Sequence, residues 1–391
     1  METTIEEEIP STMQTVEKRR TFGGWLKAFV KKNVVMVIAL CAAIITCFFV
    51  PPDKAYLDYF DYKTLTCLFC VLAVVCALRN IKFFTVLARK IVQLFKTAQS
   101  SILALVYITF LGSMLIANDM ALLTFLPLGY FVLSSTGKQK YMAFTFIMQN
   151  IAANLGGMLT PFGNPQNLYL YSFFEIPTGA FVLTMLPPFC ISVFLITLCC
   201  LIFVKKEPLT ITDEPMRLPK ARTAVYGVLF ALSIVIVFRF IPYFVGLIVV
   251  PLALLFLDRK ALKQVDYGLL FTFVAFFIFA GNMSRIPAVQ TVLGGLMQKN
   301  PLIVSALSCQ VISNVPSAIL LSQFATSWRE LLVGVNIGGA GTLIASLASL
   351  ITFREYTTKT HGRTGKYILL FSLFNFGFLF ALTALEYFIF L

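Results

Sequence analysis

Four short polar segments interrupt the apolar stretches of this 391-residue chain, and they form two pairs. In one pair an asparagine breaks a long apolar run, at Asn118-Asp119 and again at residues 313–316, which are Ser-Asn-Val-Pro. In the other pair the pattern Asn-x-Gly-Gly-x-x-Thr occurs at residues 154–160 and 336–342. Carboxamide, carboxylate and hydroxyl oxygens inside an apolar sequence are suited to binding an ion or a small polar solute.

The glycines and prolines of these segments indicate an unwound backbone, because neither residue sustains a regular helix. Unwinding in lipid exposes carbonyl and N–H groups, which polar side chains or a bound cation must then meet. Half helices that begin after Asn118 and Asn314 would direct partial positive charge toward an anionic group. The residues expected to line the binding site are Asn118, Asp119, Asn154, Gly156, Gly157, Thr160, Pro161, Gly163, Asn164, Pro165, Asn167, Ser313, Asn314, Val315, Pro316, Asn336, Gly338, Gly339, Gly341, Thr342 and Ser346. Sodium ligands are expected at two places in this set, which are Asn118, Asp119 and Gly156, and Asn314 and Gly338.

Two acidic residues lie within the apolar segments, away from their polar ends. An ionisable side chain at membrane depth is a functional hypothesis by default. We expect Asp119 to bind a proton or a cation, in addition to any role as the cap of the half helix that follows it. Glu386 lies five residues before the end of the chain, and we expect it to be a solvated end residue.

The composition indicates the kind of elements that position these groups. Hydrophobic residues make up 59% of the chain and charged residues 13%, whereas a soluble protein has about 25% charged residues. A bilayer span needs roughly 20 mostly apolar residues, and such stretches recur along almost the whole chain. We therefore predict an all-α polytopic membrane protein, which excludes a soluble enzyme, a secreted disulfide scaffold and a nucleic-acid binder.

The apolar segments predict about nine spanning helices, two re-entrant helical hairpins and two broken spans. Residues 101–135 would form a single helix about 50 Å long at 1.5 Å per residue, too long for a hydrocarbon core of ~30 Å. A hairpin that turns at Asn118-Asp119 fits this run better, and the same argument applies to residues 301–326. The predicted divisions are a cytoplasmic tail (1–33), a first transmembrane repeat (34–204), a cytoplasmic linker (205–222) and a second transmembrane repeat (223–391).

The basic residues predict the orientation of the chain. With the N-terminus inside and nine full spans, all but six of the 31 Lys and Arg residues fall on the inside, in agreement with the positive-inside rule. The C-terminus then lies outside, and the membrane is expected to be a bacterial inner membrane. The first hairpin opens inward and the second outward, so the two halves are predicted to have inverted topology.

An internal repeat supports this division. Residues 154–168 align without gaps onto residues 336–350, and Asn, Gly, Gly, Thr and Leu coincide at equivalent positions. Each block follows a hairpin whose break contains an asparagine. Inverted repeats with discontinuous helices around a midplane site are typical of secondary transporters.

Three segments together resemble the ion transporter superfamily. They are ANDMALLTFLPL at 117–128, NLGGMLTPFGNPQN at 154–167 and SNVP at 313–316. Members of this superfamily include divalent anion/sodium symporters, citrate-transporter-like permeases, arsenite permeases and some sodium/proton antiporters. The resemblance implies an elevator-type transporter, usually a homodimer, in which hairpins and broken helices form the moving domain. The first hairpin tip carries an acidic residue, Asp119, and in this it resembles the arsenite-permease branch.

We therefore predict a secondary active transporter that moves a small anion across the lipid bilayer by an elevator-type alternating-access mechanism. Coupling to sodium or protons is expected, with no cofactor besides that ion. The alternatives within the superfamily are an arsenite or metalloid efflux permease and a sodium/proton antiporter. An ion channel is the alternative from a different class, but it would more commonly show a pore signature repeated by oligomer symmetry. No enzyme is expected, because no nucleophile–base pair or metal-binding motif is present.

Overall fold

The computed structural model describes residue 30 and residues 33–209, 218–360 and 364–390. Every regular element in these ranges is helical, which confirms the all-α prediction. The predicted N-terminal tail lies outside the described residues except at residues 30 and 33, and so do residues 210–217 of the predicted linker.

Eighteen α-helices follow one another along the described residues. In the first half they are α1 (Val34–Cys47), α2 (Tyr62–Asn80), α3 (Phe83–Val92), α4 (Ala98–Ile116), α5 (Asn118–Ser135), α6 (Met142–Gly156), α7 (Pro165–Phe173) and α8 (Thr178–Phe203). In the second half they are α9 (Lys220–Val237), α10 (Tyr243–Leu257), α11 (Arg259–Gln264), α12 (Tyr267–Ser284), α13 (Pro287–Lys299), α14 (Pro301–Ile312), α15 (Asn314–Ser322), α16 (Trp328–Ile337), α17 (Leu347–Lys359) and α18 (Thr364–Leu385).

Six of the described helical segments are long and apolar enough to cross a membrane. They are Tyr62–Asn80, Ala98–Ile116, Thr178–Phe203, Lys220–Val237, Tyr267–Ser284 and Thr364–Ile389. Three shorter apolar helices, α1, α10 and α14, have 12 to 15 residues. The chain is thus a helical membrane protein, while the predicted number of nine spans stays a prediction.

Both predicted hairpins are present as pairs of packed helices, α4 with α5 and α14 with α15. Each pair is separated by a single non-helical residue, Ala117 or Ser313. The arms differ in length between the copies, with 19 and 18 residues in the first hairpin and 12 and 9 in the second. At 1.5 Å per residue, the arms of the first hairpin are about 28 Å long and the arms of the second at most about 18 Å. The short arms of the second hairpin therefore fit a hairpin that enters the membrane only partway. The arms of the first hairpin are long enough for either partial penetration or full crossing.

The helices pack in two groups. In one group α12 packs along α1, and α9, α10 and α11 pack on α2. Alanines such as Ala39 and Ala43 on α1 and Ala275 and Ala280 on α12 are buried, and small residues allow membrane helices to approach closely. The other group contains both hairpins and both broken spans, α4–α7 and α14–α17. We call these the α1/α12 group and the hairpin group.

A cluster of hydrogen bonds around Glu207 joins helices of the hairpin group at the end where Lys138 and Lys140 lie. We call this cluster the Glu207 clasp. Glu207 accepts hydrogen bonds from Lys138 (2.7 Å), Lys140 (2.5 Å) and the hydroxyl of Tyr141 (3.0 Å). Its backbone carbonyl accepts a hydrogen bond of 2.8 Å from the N–H of Ala98 at the start of α4. The clasp therefore joins the end of α8, the start of α4 and the loop between α5 and α6.

We expect Glu207→Gln to lower the thermal midpoint of the purified protein by a few degrees at pH 7. The hydrogen bonds from Lys138 and Lys140 lower the pKa of Glu207 from 4.5 to about 2. A lowered carboxyl pKa stabilises the fold above the unfolded-state value and is lost as the pH falls through the folded-state value. The difference between variant and wild type should therefore shrink between about pH 4.5 and pH 2. The matched control is Glu175→Gln, at an exposed glutamate, and equal midpoints for Glu207→Gln and wild type at pH 7 would contradict the clasp.

The environment of Glu386 differs from the predicted one. It was expected to be solvated, but it is only 1% exposed and begins a π-helical turn, Glu386–Phe390, that continues α18 and packs near α8. That prediction was wrong, because distance from the end of the chain does not show which face of the last helix is buried.

Candidate functional site

The two hairpin tips have the same local geometry. Ala117 and Ser313 have φ values of 65° and 76° and ψ values of 150° and 159°, a region that costs L-residues about 1–3 kcal/mol. In each tip the next residue is an asparagine whose side-chain oxygen accepts a 2.9 Å hydrogen bond from the following N–H, from Asp119 to Asn118 and from Val315 to Asn314. The tips therefore hold their asparagines in equivalent positions.

Both predicted broken spans are interrupted where the repeated blocks lie. The first span leaves helix α6 at Gly156 and resumes at Pro165, and the second leaves α16 at Ile337 and resumes at Leu347. In each copy the threonine of the block donates to a carbonyl of the preceding hairpin. Thr160 bonds to the carbonyl of Met114 at 2.7 Å.

The second copy makes the equivalent contact, since Thr342 donates to the carbonyl of Gln310 at 3.1 Å. Met114 and Gln310 each lie four residues before the asparagine of their hairpin tip. Matching contacts at matching positions support the internal repeat, whereas its inverted orientation in the membrane stays a prediction. They also show that the two threonine hydroxyls hold the broken span against the hairpin.

The glycines of the blocks lie where the broken span touches its hairpin. A Cβ atom on Gly156 would overlap the backbone carbonyl of Phe110 and lie 2.8 Å from the hydroxyl of Ser113. A Cβ atom on Gly338 would lie 2.8 Å from the sulfur of Cys309. Only glycine therefore allows the close approach of the broken spans to the hairpins.

We expect Gly156→Ala to destabilise the protein by about 1–3 kcal/mol, the usual cost of overpacking, because the backbone carbonyl of Phe110 cannot rotate away. The loss of the hairpin contact should also reduce transport. The matched control is Gly227→Ala in α9, where an added Cβ atom meets nothing within 4 Å. Thermal midpoints of both variants in one detergent test this, and equal midpoints for the two variants would contradict the close approach.

A cluster of buried carboxamides joins the hairpins and the broken spans, and we call it the asparagine cluster. Asn118 of the first tip donates to the side-chain oxygen of Asn154 at 3.1 Å. Asn164, before α7, donates to Asn336 of the second broken span at 3.2 Å, and Asn336 donates in turn to Asn167 at 2.6 Å. All five side chains are at most 3% exposed.

The second hairpin tip reaches the same cluster. A Cβ atom placed on Gly339 would lie 3.2 Å from the amide nitrogen of Asn314 and 3.7 Å from the side-chain oxygen of Asn154. The backbone N–H of Asn314 also donates to the carbonyl of Ala345 at 2.9 Å. The structure thus brings both tips and both unwound segments together around one buried polar centre.

Side-chain amides satisfy much of the unwound backbone. In the first copy the amide of Asn167 lies 3.1–3.2 Å from the carbonyl oxygens of Gly157, Met158 and Thr160. Asn167 is among the residues predicted to line the site, but its position in the following half helix does not indicate that its amide binds the unwound backbone.

In the second copy a different residue meets the backbone. The amide of Gln310 donates to the carbonyls of Gly338 (2.8 Å) and Ala340 (3.2 Å), and its oxygen accepts from the N–H of Thr342 at 2.9 Å. No sequence pattern indicates this role of Gln310, because it lies inside the apolar first arm of the hairpin and its counterpart is Met114.

Several buried polar atoms of the cluster have no hydrogen-bond partner among the described residues. They are Asn154 Nδ2, Asn164 Oδ1 and the Oε1 atom of Gln166, whose amide donates to Asn336 at 3.3 Å. Buried polar groups are nearly always hydrogen-bonded in native proteins. Donors and acceptors left in one place are therefore suited to a small polar ligand.

Asp119 lies on the first turn of α5 and does not cap that helix with its side chain. It makes no ion pair within the described part of the chain. Its counterpart in the second tip is Val315, so the carboxylate makes the two tips chemically different. Its Oδ1 atom has no hydrogen-bond partner among the described residues, and its binding of a proton or a cation stays a prediction.

The remaining predicted site residues lie in the unwound links, at the starts of the helices that follow them and at the second hairpin tip. Ser346 caps α17 and accepts from the N–H of Ser349 at 3.3 Å, and Gly341 has a positive φ of 125°. Pro161 and Gly163 lie in the unwound link of the first copy, and Pro316 lies in the first turn of α15. No group of three or more His, Cys, Asp and Glu side chains that could hold a metal ion occurs in the described ranges. The predicted sodium ligands stay a prediction.

Comparison with known proteins shows the family of the chain. The family model described as citrate transporter (CitMHS) matches residues 22–328. An uncharacterized transporter of Methanocaldococcus jannaschii is 34% identical over 314 residues, which cover 79% of this chain and 85% of that protein. The inner membrane protein YbiR of Escherichia coli is 30% identical over 316 residues, which cover 78% of this chain and 83% of that protein. The chain therefore belongs to the citrate transporter family and is an integral membrane transporter.

Proposed function

We propose that this transporter moves a small anion by alternating access, driven by a proton or sodium gradient. The observation that supports this most is the asparagine cluster, where two hairpin tips and two unwound spans meet. Such a centre is suited to a polar occupant, because several of its buried atoms have no described partner. A solute bound there would touch both halves of the repeat at once.

The helix ends around the cluster support an anionic solute. Helices α5 and α15 begin at Asn118 and Asn314, and α7 and α17 begin after Asn164 and Ser346. Four N-termini with partial positive charge therefore surround the cluster, and such ends attract anions. Helices α4, α6, α14 and α16 end there, and their C-terminal carbonyls favour a cation.

The two helix groups support an elevator-type movement. The hairpin group contains all the residues of the asparagine cluster, whereas the α1/α12 group contains none of them. Movement of the first group against the second would transfer the site across the membrane without rearranging its hydrogen bonds. We propose, from the superfamily resemblance, that the α1/α12 group forms the fixed part of a homodimer.

Asp119 is the proposed coupling residue. Five carbonyls of the unwound backbone already accept hydrogen bonds, from Asn167 in the first copy and from Gln310 in the second. This leaves the carboxylate of Asp119 as the main group whose charge can change. We therefore favour the proton over sodium as the coupling ion.

The charge of Asp119 also bears on the substrate. An ionised carboxylate would repel a dianion at a distance of a few ångströms. Citrate, which the family description names, would then need a bound cation or a protonated Asp119. The same residue favours the second candidate, a permease for an uncharged metalloid such as arsenite, over a sodium/proton antiporter or a channel.

A thermal-shift screen would identify the substrate. Purified protein is heated with citrate, other carboxylates, phosphate, sulfate or arsenite, each with sodium or with a non-binding cation. We expect one anion to raise the midpoint in wild type and not in a variant of the asparagine cluster. A shift by arsenite alone would support the metalloid permease, and equal shifts in wild type and variant would contradict binding at the cluster.

We also expect opposite membrane sides for the loops of the two hairpins. In a background where the nine native cysteines are replaced by alanine, a cysteine at the exposed Ser135 should react only from the cytoplasm. A cysteine at the exposed Lys299 should react only from the outside. This follows from the distribution of basic residues, which also favours an N-terminus inside and a C-terminus outside. We propose that the membrane is a bacterial inner membrane. Labelling of both positions from the same side would contradict the inverted repeat.

A further inference from the structure

Helix α7, the second half of the first broken span, carries contacts between the hairpin group and the α1/α12 group. The ring of Phe162, in the unwound link before α7, lies 5.8 Å from the ring of Phe238 at the end of α9. The ring of Tyr169 on α7 lies 5.6 Å from the ring of Phe277 on α12. Because the hydrophobic effect is non-directional, these ring contacts hold the two groups together without fixing their relative position.

Two polar side chains of the α1/α12 group bind the C-terminal end of α7 in a defined position. The guanidinium of Arg239, just after α9, donates to the backbone carbonyl of Tyr171 and stacks on the ring of the same residue, 4.2 Å from its centre. Asp61, just before α2, accepts a hydrogen bond of 3.3 Å from the hydroxyl of Ser172. A cation is also favoured at the C-terminal end of a helix, where the carbonyls carry partial negative charge. We call these four residues and their contacts the α7 lock.

The backbone at Arg239 indicates that its side chain has a role beyond the turn in which it lies. The N–H of Arg239 donates to the carbonyl of Ile236 at 2.9 Å. The N–H of Phe240 donates to the carbonyl of Val235 at 3.2 Å, which completes a Schellman motif at the end of α9. Arg239 has a positive φ of 67°, at the position of this motif where glycine is usual. The contacts of its side chain with Tyr171 explain an arginine at a position that favours glycine.

The hairpin group contacts α2 near both of its ends. Asp61, which belongs to the α7 lock, caps the start of α2 by accepting from the N–H of Thr64 at 2.9 Å. Arg79, in the last turn of α2, donates to the sulfur of Met120 at 3.8 Å, next to the first hairpin tip. Asp61 and Arg79 are 18 residues apart in sequence, or roughly 27 Å along the helix. Sliding of the hairpin group along α2 would therefore break the α7 lock.

We propose that the α7 lock holds the hairpin group in the position seen here, with Arg239 as its positioning residue, and that the lock opens each time the group moves. This inference rests on the movement of the hairpin group against the α1/α12 group that is proposed above. Arg239 is not part of the asparagine cluster, so it acts on transport through α7 and not by contact with the solute. Loss of its side chain therefore changes the populations of the two positions of the hairpin group.

The test measures the distance between the two groups in the full chain, reconstituted in lipid nanodiscs, by pulsed electron paramagnetic resonance. Spin labels are attached through Lys54→Cys and Arg329→Cys in a background where the nine native cysteines are replaced by alanine. Both positions are exposed. Lys54 follows Asp53, which pairs with Arg285 at the end of α12, and Arg329 lies in α16 of the hairpin group.

We expect one dominant distance when the α7 lock is intact and a second distance in Arg239→Gly. This variant removes the side chain and gives the turn the residue that it favours, so the protein should fold. The ratio of locked to unlocked protein should fall about tenfold, because a hydrogen bond from a charged donor is lost. Ser172→Ala is the second variant, because it removes one hydroxyl and leaves Asp61 to cap α2. It should lower the ratio about threefold.

The matched control is Arg259→Gly, because Arg259 also donates to a backbone carbonyl, that of Leu255 at 2.9 Å, but within the α1/α12 group. This control should keep the single dominant distance. The same two distances in the same ratio in every sample would show that the groups move but that the lock does not hold them, and would overturn the proposal. A single unchanged distance in every sample would overturn it as well and would also contradict the proposed movement.

Discussion

Asn118→Ala and Asn314→Ala are each expected to reduce transport by roughly one to two orders of magnitude while leaving a folded protein. Each asparagine lies at a hairpin tip and points its amide into the asparagine cluster. Truncating Asn118 leaves the side-chain oxygen of Asn154 without its donor, and an unsatisfied buried group costs about 1–3 kcal/mol. The same change removes a direct ligand of the proposed solute.

The measurement is initial uptake in proteoliposomes that contain equal amounts of wild-type or variant protein. Asn282→Ala is the matched control, because Asn282 is a fully buried asparagine that donates to Thr46 in the α1/α12 group. This control should lower the thermal midpoint and keep most of the flux. Near-normal flux in both tip variants would show that the tips are structural turns only.

Asp119→Asn is expected to leave a folded transporter whose flux no longer depends on the driving gradient. Asparagine keeps the shape of the side chain but cannot take up a proton or hold a charge. Uptake is measured between pH 5.5 and 8.5, with and without a sodium gradient, in wild type and variant. Wild type should respond to the proton gradient, and the variant should show the same low flux under all conditions.

Glu386→Gln is the control for this experiment, because Glu386 is also a buried carboxyl but lies in the last helical turn, outside the hairpin group. It should keep the gradient dependence of wild type. If an active Asp119→Asn variant also keeps that dependence, Asp119 is not the coupling residue. The coupling ion would then have to bind to amide and carbonyl oxygens of the cluster.

The elements of this protein were predictable because membrane helices have strong sequence signals. Apolar runs, the asparagines that break them and the repeated Asn-x-Gly-Gly-x-x-Thr blocks located both hairpins and both broken spans. The break of the first hairpin falls at Ala117, one residue before the predicted turn. The lengths of the hairpin arms were harder to predict, because they depend on where each helix ends. Those ends lie within apolar sequence, so the composition hardly indicates them.

The contacts between elements were less predictable. Gln310 binds the unwound backbone of the second copy. Its counterpart in the first copy is Met114, so a comparison of the two repeats does not indicate this role. Arg239 stacks on the ring of Tyr171 with its guanidinium 4.2 Å from the ring centre. Such contacts join residues far apart in the chain, and no local pattern encodes them.

We propose that the asparagine cluster is the binding site of a gradient-coupled carrier. The most direct measurement is uptake of the anion found by the thermal-shift screen, in proteoliposomes with an imposed proton or sodium gradient and a matched Asn118→Ala sample. We expect uptake that saturates with substrate, stops when an ionophore collapses the gradient and is nearly absent in the variant. Uptake that rises linearly with concentration, ignores the ionophore and persists in Asn118→Ala would contradict it.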